Sequence, residues 1–312
     1  MISILLGVPS VGCGGTQPSA PARALDLDDV VPEGYTSLLR VRPRALLADD
    51  GLMRVAEAIV PSTRLDAFRD RHGVDVRELE IVEHASYEGS GSLLLARGSF
   101  HANVVVAEIG HRMAPLESSA DRPVTRRAGI YLLRRFELLA LGANDLALVE
   151  GPPEIAGLLL HTREEAMGAT RPPPSRLRTV IAGEADAPFV FVRHGRPELP
   201  PEGIGLVLAR LEDASLAAST AGPEEPGAIE LRARLFGAFP PGVEENLRTF
   251  VGALSEADLG RAIGLEEVAR TLAIEVTEGE VRLVARLRAT TLARGLRVLL
   301  GAEIEELLDA ST

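Results

Sequence analysis

Apolar and polar residues alternate in several short stretches of the chain, and longer stretches with the helical period follow them. Leu39 to Arg44 alternates apolar residues with arginine, which is typical of a strand with one solvated face. Ser92 to Ala96 is a more continuous apolar run and predicts a buried strand that ends in a turn at Gly98. After Phe100 the apolar residues return at helical spacing, so a helix is expected there.

The same strand and helix patterns recur in the second half of the chain. Helices are expected after Asp49, after Pro61, after Pro152 and after Pro240, where capping residues or prolines precede an apolar stripe. Strands are expected at 39–44, 80–85, 93–96, 130–133, 146–149, 189–192, 205–209, 229–236, 272–276 and 281–287. The pattern predicts an α+β fold of two tandem units, each an open, mostly antiparallel sheet with helices packed on one face.

Composition shifts divide the chain into five segments. Three consecutive prolines at 172–174 permit neither helix nor central strand and mark the clearest boundary. The predicted segments are a signal peptide at 1–12, a flexible tether at 13–33, a first α+β domain at 34–168, a Pro-rich linker at 169–186 and a second α+β domain at 187–312.

The first segment has the features of an export signal. Ile2 to Val8 is an apolar run too short to span a bilayer but long enough for the core of a signal peptide. Val11-Gly12-Cys13 resembles the end of a bacterial lipoprotein signal, and this resemblance implies that Cys13 carries the lipid. Gly14 to Pro21 is typical of a flexible tether. The alternative is a frayed terminus with an incidental thiol.

A second resemblance covers most of the chain. His72-Gly73-Val74-Asp75 before a strand, Ala96-Arg97-Gly98-Ser99-Phe100 before a helix and Val281-Arg282-Leu283 near the end are the motifs that carry it. With these motifs the chain resembles uncharacterised exported bacterial proteins of unknown function that are built from two similar α+β halves. The resemblance implies an internal duplication and the cell envelope as location, but no activity.

The net charge limits the classes of binding partner, and the cysteine content limits the covalent cross-links of the chain. The net charge of −12 argues against nucleic acid as a partner, since a general nucleic-acid binder needs surplus positive charge. The chain contains no lysine, so all of its 33 cationic side chains are arginines. Its single cysteine excludes an internal disulfide.

The sequence lacks the usual catalytic and cofactor motifs. It contains no phosphate-binding glycine loop, no G-x-S-x-G nucleophile elbow and no H-E-x-x-H metal motif. Glu108 and His111 have the spacing of two metal ligands on a helix, but Arg112 beside them favours a solvated helix face. We therefore expect no catalytic residues, no metal site, no cofactor and no enzymatic activity.

Arginines at alternating strand positions are the candidate binding residues. Alternation places each set on one face of its strand, where it could bind an anionic envelope polymer or lipid. The alternative is cross-strand pairing with Glu230, Glu280 and their neighbours on a solvated sheet. The arginines of this possible anion-binding face are Arg40, Arg42, Arg44, Arg232, Arg234, Arg282, Arg286 and Arg288.

These features predict a non-enzymatic envelope lipoprotein, anchored in the membrane through Cys13 and facing the periplasm or the exterior. It would act through contacts with an envelope protein or an anionic envelope polymer. The alternative is a periplasmic carrier for an apolar or anionic ligand held between sheet and helices. A hydrolase assembled from scattered residues is the least expected of the three.

Overall fold

One antiparallel sheet contains all the strands of the part of the chain that the structure describes. The structure is a computed structural model, which describes residues 27–89, 91–116, 124–131, 133–167, 175–195, 205, 208–222 and 224–297. The strands are β1 (Tyr35–Val41), β2 (Leu79–Tyr87), β3 (Gly91–Gly98), β4 (Ala114–Leu116), β5 (Thr125–Tyr131), β6 (Arg134–Ala140), β7 (Asp145–Glu150), β8 (Phe189–His194), β9 (Leu211–Thr220), β10 (Ala228–Gly237), β11 (Ala273–Thr277) and β12 (Glu280–Arg288).

The sheet is continuous across the boundary that the sequence predicts. Its strand order is β11-β12-β10-β9-β8-β1-β2-β3-β7-β6-β5-β4. β1 pairs with β2 on one side and with β8 on the other, with Leu38 opposite Val192. The predicted α+β class and open antiparallel sheet are confirmed, but the two halves share one sheet instead of forming two.

The helices lie between the strands in the chain. Asp49 caps α2 by accepting hydrogen bonds from the backbone amides of Gly51 and Leu52. Residues 289–297, after β12, are also helical. The longer helices are α1 (Pro43–Ala48), α2 (Asp50–Ile59), α3 (Ser62–His72), α4 (Ala102–Ile109), α5 (Pro153–Met167), α6 (Arg176–Gly183), α7 (Val243–Glu256), α8 (Asp258–Ile263) and α9 (Leu265–Thr271).

The middle of the sheet is covered on both faces. Because side chains alternate along a strand, Leu93, Leu95 and Val190 lie on one face, which we call the front. This face packs against α5 and α6 in the largest core cluster. The expectation that helices cover only one face is therefore wrong for the central strands, whose alternate positions are apolar on both sides.

The opposite face, which we call the back, carries three further core clusters. α4 packs there against β6 and β7, with Val105 and Leu146 among the buried residues. α2 reaches across the predicted domain boundary and packs against Ile229 of β10. α7 covers the sheet near β12 through Leu247. The back is thus covered along most of the sheet.

Two predicted connecting segments contain folded structure. Residues 27–33 were expected in the tether, yet Leu27, Val30 and Val31 are buried in the front core. Residues 176–183 were expected in the linker, yet they form α6 and bury Leu177 and Ile181. Both segments carry apolar residues that the central sheet can cover. The signal peptide, Cys13, the rest of the tether and the three prolines lie outside the described residues.

Two predicted strands also differ from the structure. Residues 130–133 were expected as a strand, but β5 ends at Tyr131 and β6 begins at Arg134, so this segment is the end of a hairpin. Residues 205–209 were expected as a strand, but residues 205 and 208 are helical and the next strand begins at Leu211.

Candidate functional site

Five of the eight predicted arginines lie close together on the front of β10 and β12. The register places Glu230 opposite Arg286 and Arg234 opposite Arg282. Alternation then brings the remaining charged residues of both strands to the same side. We call this patch the arginine–glutamate surface; it consists of Glu230, Arg232, Arg234, Glu280, Arg282, Arg286 and Arg288.

Glu230 lies between two of these arginines. Arg286 donates to it across the strands at 3.0 Å and contacts Glu225 at 3.1 Å. Arg232 donates to Glu230 at 3.1 Å and to Glu184 of the segment after α6 at 2.7 Å. Burial opposes ionisation, but the hydrogen bonds from Arg232 and Arg286 hold the pKa of Glu230 below its ordinary value.

Glu280 is shared in the same way at the start of β12. It accepts hydrogen bonds from Arg282 at 2.9 Å and from Arg234 at 2.6 Å. These two hydrogen bonds lower the pKa of Glu280 to about 2. Arg288, at the other end of the strand, pairs with Glu267 of α9, which also accepts a hydrogen bond from the Arg288 backbone amide at 2.9 Å.

The arrangement neutralises the positive charge of the surface. Every arginine in the patch has at least one carboxylate within ion-pair distance. An anionic ligand would have to compete with carboxylates that are already bound and ionised. The geometry therefore favours cross-strand pairing with Glu230 and Glu280, the alternative that the sequence left open, over an anion-binding face.

The other three predicted arginines do not belong to this surface. Arg40 is buried in the centre of the sheet, where it donates to the buried carboxylate of Glu83 on β2 at 3.0 Å. Arg42 immediately precedes α1, and Arg44 lies within it and donates to the Glu78 backbone carbonyl at 3.0 Å. The prediction that Arg40 contributes to an exposed binding face is wrong because α6 covers the front of the sheet there.

A surface cavity is a further candidate site for a ligand. A surface cavity of about 600 Å³, open to solvent, lies beside β5 and β6 and includes Arg126, Arg127 and Arg163 in its lining. Among the residues that the structure describes, no group of three or more His, Cys, Asp or Glu side chains is placed to hold a metal ion. His111 is exposed, and its ring donates a hydrogen bond to the backbone carbonyl of Glu108.

Comparison with known proteins identifies the fold alone. No protein-family model matches the chain, and no curated protein matches its sequence. The crystal structure of TP0453 in form III is similar, with a TM-score of 0.51 and 13% identity over 88% of this chain and 99% of that one. Form I of TP0453 gives a TM-score of 0.49 and 10% identity over 89% and 99%. The likeness to form III agrees with a large antiparallel α+β fold.

The end of the β5–β6 hairpin is an exposed feature that was not predicted from the sequence. Ile130 is 79% exposed and Leu133 is 98% exposed. Four arginines, Arg126, Arg127, Arg134 and Arg135, lie on the two strands behind them. The available signal was the apolar run at 130–133, which lies between the arginine pairs at 126–127 and 134–135 and was expected to be a strand.

Proposed function

We propose that this protein is a non-enzymatic envelope lipoprotein, tethered to a membrane through Cys13, whose folded part acts by contact. The motif Val11-Gly12-Cys13 carries the proposal. The folded part supports it, because Leu27, the first residue that the structure describes, is buried in the core, and residues 14–26 lie between it and Cys13 in the sequence. A segment of this length spans at most about 45 Å when extended, so the folded part would lie next to the bilayer surface.

The charged groups of the fold support a role without a chemical step. Glu83, Glu137, Glu230 and Glu280 all accept hydrogen bonds from arginines. Burial opposes ionisation of Glu137, but hydrogen bonds from Arg135 and Arg126 hold its pKa below the ordinary value. A carboxylate held ionised in this way is a poor proton acceptor at neutral pH, which favours a structural use of these pairs.

Fractionation of cells that produce the full-length protein tests the tether. The protein should appear in the membrane fraction, and Cys13→Ala should move it to the soluble fraction. Cys13→Ser is the matched variant, because it keeps the size and polarity of the side chain and cannot carry a thioether-linked lipid. Membrane association that is unchanged in both variants would contradict the proposal.

A carrier is the second candidate function, favoured by the cavity beside β5 and β6. Its arginines could hold an anionic group while Val124 and Leu141 contact an apolar part of the ligand. Native mass spectrometry of gently purified protein distinguishes the two functions. A stoichiometric bound lipid or anion, lost in Arg163→Ala, would favour the carrier.

A further inference from the structure

The end of the β5–β6 hairpin projects beyond the strands on both sides of it. β4 pairs with β5 only as far as Ala128, and β7 pairs with β6 only from Phe136 onward. Residues 129–131 and 134–135 therefore form a two-stranded projection, and the backbone amide of Gly151 donates to the Arg135 carbonyl at its base. A projection of this kind can enter an apolar environment outside the protein without changing the packing of the core.

Two apolar side chains at the end of this projection are exposed to water, which is energetically unfavourable. Ile130 and Leu133 are 79% and 98% exposed, although most large apolar side chains of the described fold are buried or half-buried. Leu133 also has a φ of +64°, and among the described residues it is the only one besides glycine with a positive φ. Asparagine or glycine is the usual choice at such a position in a two-residue turn.

The arginines behind the apolar residues complete the pattern. Arg134 is 68% exposed and pairs with Glu150 at 2.5 Å, while Arg135 and Arg126 bind the buried carboxylate of Glu137. Arg127 donates to the Gly110 backbone carbonyl at 3.0 Å, so four arginines of the two strands face two carboxylates and leave a net positive charge behind the apolar end. This order matches the layers of an anionic bilayer, where the acyl chains contact the apolar side chains and the headgroups balance the excess positive charge. This charge arrangement favours a lipid surface over an apolar protein groove.

The projection lies at the same end of the strands as Tyr35, the first residue of β1. Tyr35, at the beginning of β1, pairs with Tyr87 of β2, and the strand ends that follow across the sheet are Gly91, Glu150 and Arg134. Pro32, which accepts a hydrogen bond from Tyr87 at 3.0 Å, lies at that end too. A tether that reached the bilayer from this end of the strands would present the hairpin toward the same bilayer.

From these observations we infer that the β5–β6 hairpin inserts Ile130 and Leu133 into the surface of an anionic lipid bilayer. The inference deepens the proposed function, since it gives the tethered protein a second contact with its membrane. It is independent of the lipid on Cys13, because the hairpin belongs to the folded part.

Binding to vesicles tests the inference in the Cys13→Ala background of the full chain, which removes the lipid attachment. Vesicles of equal parts phosphatidylcholine and phosphatidylglycerol should bind this protein. The variant Ile130→Thr/Leu133→Asn should weaken binding about a hundredfold, since burial of each apolar side chain contributes about tenfold or more. Asparagine tolerates the positive φ, so the variant should melt no lower than its parent.

Leu158→Asn is the matched control, because Leu158 is 50% exposed on α5 and lies outside the hairpin. It should leave vesicle binding unchanged. Arg134→Glu should weaken binding to the anionic vesicles and reduce its salt dependence. Equal binding by parent and hairpin variant, or an equal loss in Leu158→Asn, would overturn the inference. A hairpin variant that loses self-association and not vesicle binding would also overturn it.

A fluorescent label gives a direct second readout. Since Cys13 is the only cysteine, Leu133→Cys in the Cys13→Ala background carries one environment-sensitive dye. Its emission should shift to the blue when anionic vesicles are added, and a dye on Leu158→Cys should not respond. An unchanged spectrum at position 133 would overturn the inference. Soluble wild-type protein in cells would instead contradict the proposed lipid tether.

Discussion

Removal of one partner of the buried Arg40–Glu83 pair should destabilise the whole protein. The two side chains are 2% and 0% exposed, and the guanidinium donates to the carboxylate at 3.0 Å. Arg40 also donates to the Ile181 backbone carbonyl of α6 at 3.4 Å. The pair therefore links β1, β2 and α6 at the strand where the two halves of the sheet meet.

The expected magnitude follows from this burial. Glu83→Leu leaves the Arg40 guanidinium in the core without its carboxylate, which typically costs about 3–5 kcal/mol. The double variant Arg40→Met/Glu83→Leu leaves no buried charge, so its free energy of unfolding should return to within about 2 kcal/mol of the wild type. Glu80→Ala is the control, because Glu80 and Arg44 are both more than half exposed at 3.8 Å and such pairs contribute about 0–1 kcal/mol.

Urea denaturation of the four proteins, followed by circular dichroism, measures these differences. The reasoning would be refuted if Glu83→Leu lost no more stability than Glu80→Ala. It would also be refuted if the double variant had a lower free energy of unfolding than Glu83→Leu. An uncharged core would then be less stable than a core that holds Arg40 without Glu83.

Two further predictions concern the shared sheet and its charged surface. Cleavage at a specific protease site placed between residues 168 and 174 should leave two fragments that co-elute on size exclusion, because β1 pairs with β8 and α2 packs against β10; separate elution of folded fragments would contradict the continuous sheet. Because the pKa of Glu280 is lowered to about 2 from 4.5, its ionised form stabilises the fold above about pH 5, and this contribution disappears as the pH falls toward 2. The stability difference between wild type and Glu280→Gln should therefore vanish between these pH values, and a difference that grows on acidification would contradict the ion-pair geometry.

The strands with strong alternation could be predicted from the sequence, and those with small side chains could not. β10 and β12 alternate apolar residues with arginine and were expected close to their observed bounds. β9 lies between β8 and β10, yet Ala214, Ser215, Ala217 and Ala218 give it little hydrophobic contrast. The apolar run at 205–209 had the stronger pattern and drew the prediction away from β9.

The burial of Arg40 shows what alternation cannot decide. The alternation at 39–44 predicts a strand, which is correct only up to Val41, because Arg42 immediately precedes α1 and Arg44 lies within it. Whether the face that carries Arg40 is solvated depends on what covers it. Here α6, more than a hundred residues away in sequence, covers the front of β1. Near β12 no described helix covers that face, and the arginines remain at the surface.

The β5–β6 hairpin escaped prediction because its turn lacks the usual residues. Two-residue hairpins ordinarily show asparagine or glycine at positions with positive φ. The positive φ here belongs to Leu133, and the sequence reads as one apolar strand from 130 to 133. The departure from turn chemistry is the same feature that supports a membrane contact.

The central claim, a protein held at a membrane through its N-terminus, is tested most directly by mass analysis of the N-terminal peptide from the native protein. We predict a peptide that begins at Cys13 and carries two or three acyl chains, with residues 1–12 removed. An unmodified peptide that begins at Met1, recovered from a soluble protein, would contradict the account.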